Sequence, residues 1–198
     1  MARNTRGFTI IEMIVMMLLL AVAASIALPR ALKSSPQQQV DLAARTLTRD
    51  LEQLRMKAIA SKRSIRVRFY TGSQFYSAFM DITPERLETI AETSDEVRES
   101  GLFTRGSAEG VSGVPLPTGV VFGVGSATTG PAGYPVADPV ALTDDYVEFD
   151  SRGMVKPAGS AGVVFISHQE DPRAVAAVTI TGASAFRTWR FRGGSWIH

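Results

Sequence analysis

Between Phe8 and Leu28, 18 of 21 residues are apolar. A helix of that length runs about 31 Å, the thickness of a bilayer's hydrocarbon core. Because it is apolar on every side, the segment must be covered by lipid or by other protein. The run therefore predicts a transmembrane helix over residues 8–28. Arg3 and Arg6 precede it and no acidic residue does, so the positive-inside rule puts the short N-terminus in the cytoplasm and the chain beyond about residue 30 outside. Three simpler readings stay open on these grounds: a secretory signal with a small-residue site at Ala21-Val22-Ala23, a plain single-span anchor, and a buried core helix. Glu12 argues against the first two. An ionisable group within an apolar span costs about 2.5–3.5 kcal/mol on insertion scales and is normally retained for a functional partner.

Arg6-Gly7-Phe8-Thr9-Ile10-Ile11-Glu12, followed by the apolar run, resembles the class III signal of type IV pilins and type II secretion pseudopilins. The resemblance implies a seven-residue leader, cleavage between Gly7 and Phe8 by a prepilin peptidase, N-methylation of Phe8, and a role for Glu12 in filament assembly. Glycine before the cut lets an extended backbone enter a peptidase cleft without a side-chain clash. A new amine at Phe8 is cationic, and an ion pair between it and Glu12 of a neighbouring subunit offsets a desolvation cost that neither charge bears well alone.

Pro29 ends the apolar run and predicts a bend or interruption, and Lys33-Ser34-Ser35-Pro36 is a second breaker cluster. From Gln37 to about Ser61, Val40, Ala44, Leu47, Leu51, Leu54 and Ala58 recur at helical spacing and predict an amphipathic helix facing the protein's own sheet. After Arg63 the period becomes two. Ile65, Val67 and Phe69 predict a buried strand face, with Arg66 and Arg68 on an exposed basic one, and Gly72-Ser73 turns into a second strand over Phe75–Ile82. Pro84–Gly101 reads as a short helix or an extended excursion. Residues 104–140 read as a long loop system with one strand at Gly119–Val124. Further strands are expected at Tyr146–Phe149, Gly162–Ser167, Val175–Thr181 and Phe186–Phe191, with a turn at Asp150–Gly153.

This order of one long helix followed by strands resembles the GspH/FimT branch of minor pilins and pseudopilins. The fold class is therefore α+β: a long N-terminal helix, transmembrane in its first half, packed on a C-terminal antiparallel β-sandwich. The expected organisation is a leader over 1–7, a membrane helix over 8–28, its periplasmic continuation over 29–62 and a β-rich globular domain over 63–198.

Cysteine is absent and histidine is limited to His168 and His198, which excludes disulfides, thiolate metal sites and cysteine nucleophiles and argues against a histidine metal centre. His168 beside Glu170 and Asp171 reads as a turn histidine rather than a base, since no nucleophile motif accompanies it. Gly123-Val124-Gly125 is only a fragment of a phosphate loop. Asp144, Asp145, Glu148 and Asp150 match no calcium loop and read as a solvated acidic face. Catalytic residues, cofactors and resident metals are expected to be absent.

Nucleic acid is the serious competitor. Residues 172–198 carry Arg173, Arg187, Arg190 and Arg192 with no acid, interleaved with Phe186, Trp189, Phe191 and Trp196, as single-strand-binding surfaces do. A DNA-receptor role, with Arg187, Arg190, Arg192 and Trp189 as contacts, stands against the alternating-strand reading, in which Trp189 and Phe191 fill a core and the arginines are wet. The pilin resemblance instead implies a non-enzymatic subunit at or near the tip of a type II pseudopilus or type IV pilus. Its implied partners are prepilin peptidase, other pilin or pseudopilin subunits, the bacterial inner membrane and secreted cargo.

The sequence pI of about 9.1 adds little to the nucleic-acid case. Loss of Arg3 and Arg6 with the leader takes the 21 basic side chains to 19, against 19 acidic ones. What remains is segregation: residues 37–70 hold 8 basic and 3 acidic side chains, 81–99 hold 2 and 7, 138–150 hold none and 5, and 172–198 hold 4 and none. Opposed patches of this kind suit a subunit that docks between neighbours in one orientation.

Overall fold

The computed structural model describes residues 9–31, 35–82, 97–99, 106–108 and 111–198. The chain divides into two units, Met1–Ser35 and Pro36–His198.

The first unit is built on helix α1, Ile10–Ala31. Thr9 precedes it, and its Oγ1 accepts the Glu12 backbone N–H at 3.3 Å, which satisfies one of the orphan donors of the first turn. The interruption expected at Pro29 does not occur there, because the backbone stays helical through to Ala31. A proline two residues from a helix end removes one hydrogen bond and leaves the remaining turn intact. The described side chains of α1, from Ile10 to Ser25, are all exposed. Among the described residues no helix is long and apolar enough to cross a membrane.

The second unit opens with helix α2, Pro36–Ser61. Proline suits its first position because that turn's N–H groups have no helical acceptor. The expected stripe is observed: Val40, Ala44, Leu47, Leu51, Leu54 and Ala58 are fully buried.

Strands β1 (Ile65–Tyr70) and β2 (Phe75–Asp81) form the expected hairpin. Six further strands are short: β3 Val97–Glu99, β4 Gly106–Ala108, β5 Val111–Pro115, β6 Val120–Phe122, β7 Val140–Ala141 and, after β8 (Tyr146–Phe149), β9 Val155–Lys156. The remaining strands are β10 Gly162–His168, β11 Val175–Ile180, β12 Phe186–Arg192 and β13 Ser195–Ile197. Among the described residues they make two antiparallel sheets. One runs β4-β5-β2-β1-β8-β9 with β3 also paired to β2; the other runs β13-β12-β11-β10-β6 with β7 also paired to β10. Of the short helix or extended excursion expected over Pro84–Gly101, only Val97–Glu99 is among the described residues, where it forms β3. The stretch 104–140 is more than loops, since β4, β5, β6 and β7 join it to both sheets.

One core joins α2 to both sheets. Ile65, Val67, Tyr76, Ala78 and Phe149 of the first sheet meet Val164, Ile166, Ala176, Val178 and Ile180 of the second around the α2 stripe. Side chains of alternate parity leave the second sheet on its other face, where Val163, Phe165 and Ala177 are packed by Val124, Tyr134, Val136, Trp189 and Trp196. The 124–141 stretch therefore covers that face, and Trp196 is fastened to it by an indole N–H donated to the Thr129 carbonyl at 2.6 Å.

The exposed basic face expected of β1 is not observed. Arg66 is buried, opposite Glu148 in the β1–β8 register. Its guanidinium donates to Glu148 Oε2 at 3.1 Å and lies 4.0 Å from the Tyr146 ring centre. The Lys156 ammonium stands 3.7 Å from the other carboxylate oxygen. Cross-strand pairing of opposite charges removes the reason for an arginine to face water.

Candidate functional site

Of the expected processing residues, Gly7 and Phe8 lie outside the described residues. Glu12 is exposed in the first turn of α1. Thr9-Ile10-Ile11-Glu12 has the spacing of a capping box, so the sequence supplies a local reason for the backbone at Glu12 to be helical. That reason concerns its N–H, which Thr9 binds, and leaves the carboxylate available for another partner. Apart from Glu12 and Ser25, the described side chains of α1 are apolar and exposed, Ile10, Val15, Leu18 and Leu19 among them.

Of the expected nucleic-acid contacts, Arg190 and Arg192 fall on one side of the last long strand and Arg187 and Trp189 on the other. Trp189 pairs with Ala177 and faces away from α2, where its indole N–H donates to Thr179 Oγ1 at 3.0 Å. Arg187, opposite Thr179, shares that face. Arg190, one residue on, turns to α2 and forms an ion pair with Asp41. Asp41 also accepts the Gln37 amide at 2.9 Å. Arg192 lies on the Arg190 side by parity, at the β12–β13 turn, and is exposed. The two tryptophans belong to the packing of the second sheet.

Another grouping replaces that one. Arg173, Arg190 and Arg192 line a surface hollow of about 490 Å³ together with Gln37, at the start of α2, and the Gly193-Gly194 turn. Arg173 was legible as part of the basic C-terminal stretch. Its convergence with Gln37 was not, because 136 residues of chain separate them.

The acidic stretch also divides. Glu148 is buried against Arg66, whereas Asp150 is a turn residue: its Oδ1 accepts the backbone N–H groups of Arg152 and Met154 at 2.8 and 2.9 Å, and its Oδ2 takes the Arg152 guanidinium. Partial burial alone would raise the Asp150 carboxyl, but those backbone and guanidinium contacts outweigh it and hold it below the usual range. Asp145 moves the other way, pushed up by partial burial and by the charges of Asp138 and Asp144 against the lowering effect of Arg68. The expected solvated acidic face is thus reduced to Asp144 and its neighbours. Among the described residues no group of three or more His, Asp or Glu side chains is placed to hold a metal ion. His168 ends β10, buried, with Nδ1 accepting the Glu170 N–H at 3.2 Å.

Residues 2–28 match the family described as "Prokaryotic N-terminal methylation motif". That match agrees with the resemblance to the type IV pilin and pseudopilin superfamily carried by Arg6–Glu12. Comparison with curated proteins finds no match. Among solved structures the chain is similar to the minor pseudopilin EpsH from the type 2 secretion system of Vibrio cholerae, at 12% identity and a TM-score of 0.47, covering 79% of this chain and 99% of that one. A second EpsH crystal structure matches at 15% identity and 0.45, covering 78% and 95%. The type IV minor pilin FimU of Pseudomonas aeruginosa matches at 11% identity and 0.46, covering 81% and 93%.

Proposed function

We propose that this chain is a structural subunit of the minor pilin or pseudopilin kind, non-enzymatic and built into a type II secretion pseudopilus or a type IV pilus. Prepilin peptidase cuts it between Gly7 and Phe8 and methylates Phe8. Residues 8–28 hold it in the bacterial inner membrane, N-terminus cytoplasmic and globular unit periplasmic, until assembly. The observation that carries this reading is the match of residues 2–28 to the N-terminal methylation motif. The largely apolar exposed surface of α1 supports it, since such a surface needs lipid or neighbouring helices around it.

Cleavage leaves the Phe8 amine one residue before the Thr9 cap. Glu12 of a neighbouring subunit then has a cation to meet in a medium where neither charge is stable alone. Because Thr9 binds the Glu12 N–H and not its carboxylate, Glu12→Ala removes the assembly charge and keeps the helix start. Mass spectrometry of the mature protein is expected to show an N-terminus at Phe8 carrying one methyl group; intact Met1, or a terminus at Ala24, refutes the reading. Glu12→Ala is expected to be cleaved normally and to be lost from sheared filaments, and normal incorporation refutes its assigned role. The DNA-receptor reading is not advanced, because Arg187 and Trp189 lie on the sheet face opposite Arg190.

A further inference from the structure

The Arg173–Arg190–Arg192 hollow has no use in the cleavage at Gly7 or in the Glu12 contact. Arg190 is partly neutralised by Asp41, and Asp171 spends a carboxylate oxygen on the Arg173 backbone N–H at 3.1 Å. Among the described residues no carboxylate pairs with the guanidinium of Arg173 or Arg192, and both residues are exposed. Gly193 and Gly194 turn the chain at the rim with positive φ, 58° and 84°, and a Cβ on either would meet nothing within 4 Å, so the mouth stands open. Guanidinium groups around an open hollow take carboxylates in forked, two-bond pairs.

The same globular unit carries the complement. Asp138 and Asp144 are exposed and Asp145 half-buried, either side of β7. Partial burial and the charges of Asp138 and Asp144 raise the Asp145 carboxyl against the pull of Arg68, so the three acids share one surface. They are spread too widely to hold a metal ion, and among the described residues no basic side chain pairs with Asp138 or Asp144. Strand β10 separates this surface from the hollow. Near its start Val163 pairs with Ala141, and Asp144 and Asp145 lie three and four residues further along the chain. At its other end Ser167 pairs with Val175, two residues after Arg173, and the Gln37 amide reaches the Val175 carbonyl at 3.4 Å. Four strand residues between those levels span about 13 Å, with Asp144 and Asp145 leading away from one end and Arg173 from the other. Complementary groups at opposite ends of one sheet join copies head to tail, and a head-to-tail contact that does not close into a ring propagates as a filament.

We infer that the Arg173–Arg190–Arg192 hollow is a docking socket for the Asp138–Asp144–Asp145 surface of a second copy of this chain, in a head-to-tail contact between globular units. The inference deepens the subunit reading and rests on it for the setting in which copies meet. Exposed ion pairs contribute little each, so the contact sets the order and orientation of neighbours and leaves the drive for assembly to the apolar helices.

The chain has no cysteine, so introduced thiols are its only ones. Ser195→Cys stands at the rim of the hollow, opposite Arg192 in the β12–β13 register, and Thr143→Cys stands beside Asp144; both positions are exposed. The two full-length variants, carrying tags of different mass, are reconstituted together into phosphatidylcholine vesicles and treated with a short bismaleimide. Dimers linked from position 195 to position 143 are expected well above either like-with-like dimer. A chain carrying both substitutions is expected to give a ladder of dimers, trimers and longer species. Arg173→Gln with Arg192→Gln is expected to lower the mixed yield roughly 2- to 30-fold, as for two exposed ion pairs, with near-UV circular dichroism as the check on the fold. Like-with-like dimers alone, or a mixed yield that the arginine changes leave unaltered, overturn the contact. Arg173- and Arg192-dependent binding of a single-stranded oligonucleotide, without the mixed cross-link, overturns it in favour of nucleic acid. Linkage of the Ser195→Cys chain to a different polypeptide in filament-forming cells, and not to the Thr143→Cys chain, overturns it in favour of another subunit. Methylated Phe8 and incorporation into filaments without the mixed cross-link refute the contact alone. A mixed cross-link from a chain neither cleaved nor incorporated refutes the subunit reading and leaves the contact standing.

Discussion

Asp150 shows how much of a single residue's role is written locally. The sequence Phe149-Asp150-Ser151-Arg152-Gly153 announces a turn, and an aspartate there accepts the N–H groups two and four residues on. What the turn rests on is not local: a Cβ at Gly153, which has φ of 77°, would stand 2.6 Å from Ile59 Cδ1 of α2. A carboxyl whose pKa is depressed in the folded state adds stability above its unfolded value of about 3.9 and loses it as pH falls through the lower folded value. Asp145, raised by burial and by Asp138 and Asp144, has the opposite sign: its contribution is present at low pH and is lost as pH rises from about 4 through its folded value. Asp150→Ala is therefore expected to lower the unfolding free energy by about 1–3 kcal/mol at neutral pH, the cost of orphaned N–H groups. The deficit against the parent should shrink below about pH 4, as guanidinium denaturation across pH would show. A deficit independent of pH would assign the loss to packing and not to the ionised carboxylate.

At the level of elements, periodicity located β1, β2, β8, β10, β11, β12 and α2 to within a residue or two. It did so because each buries at least one face and so carries its period in side-chain polarity. The same signal misjudged the second face. Alternation says that Arg66 and Val67 point in opposite directions and says nothing of what waits on either side. Glu148 and Tyr146, some 80 residues later, turn a wet face into a buried ion pair. The short strands β3, β4, β5, β7 and β9 are not legible for the complementary reason, since two to five residues are too few to carry a period and owe their pairing to the neighbour. Arg66→Met and Glu148→Leu, made singly, are each expected to destabilise the protein by about 3–5 kcal/mol through the buried charge left behind. The double variant should cost much less than their sum, so a denaturation double-mutant cycle reads the coupling. Additive losses would mean that the two charges are satisfied separately.

For the molecule as a whole, the two units answer different solvents. The globular unit hides its apolar stripe in a shared core, and its 17 basic and 18 acidic side chains nearly cancel. In α1 there is no such hidden side: its first sixteen side chains, Glu12 included, are exposed. An apolar helix of this kind keeps its place only where inserting it is favourable, and each arginine near its centre costs about 2.5–3.5 kcal/mol on insertion scales. Met16→Arg together with Leu19→Arg should therefore shift the protein from the carbonate-resistant membrane fraction to the soluble or degraded one. Leu42→Arg, an equal change of charge at an exposed site on α2, should leave it in the membrane. If the double variant stays as firmly bound as the parent, residues 8–28 are not what holds the chain, and the apolar surface of α1 must be covered by protein before it ever meets a filament.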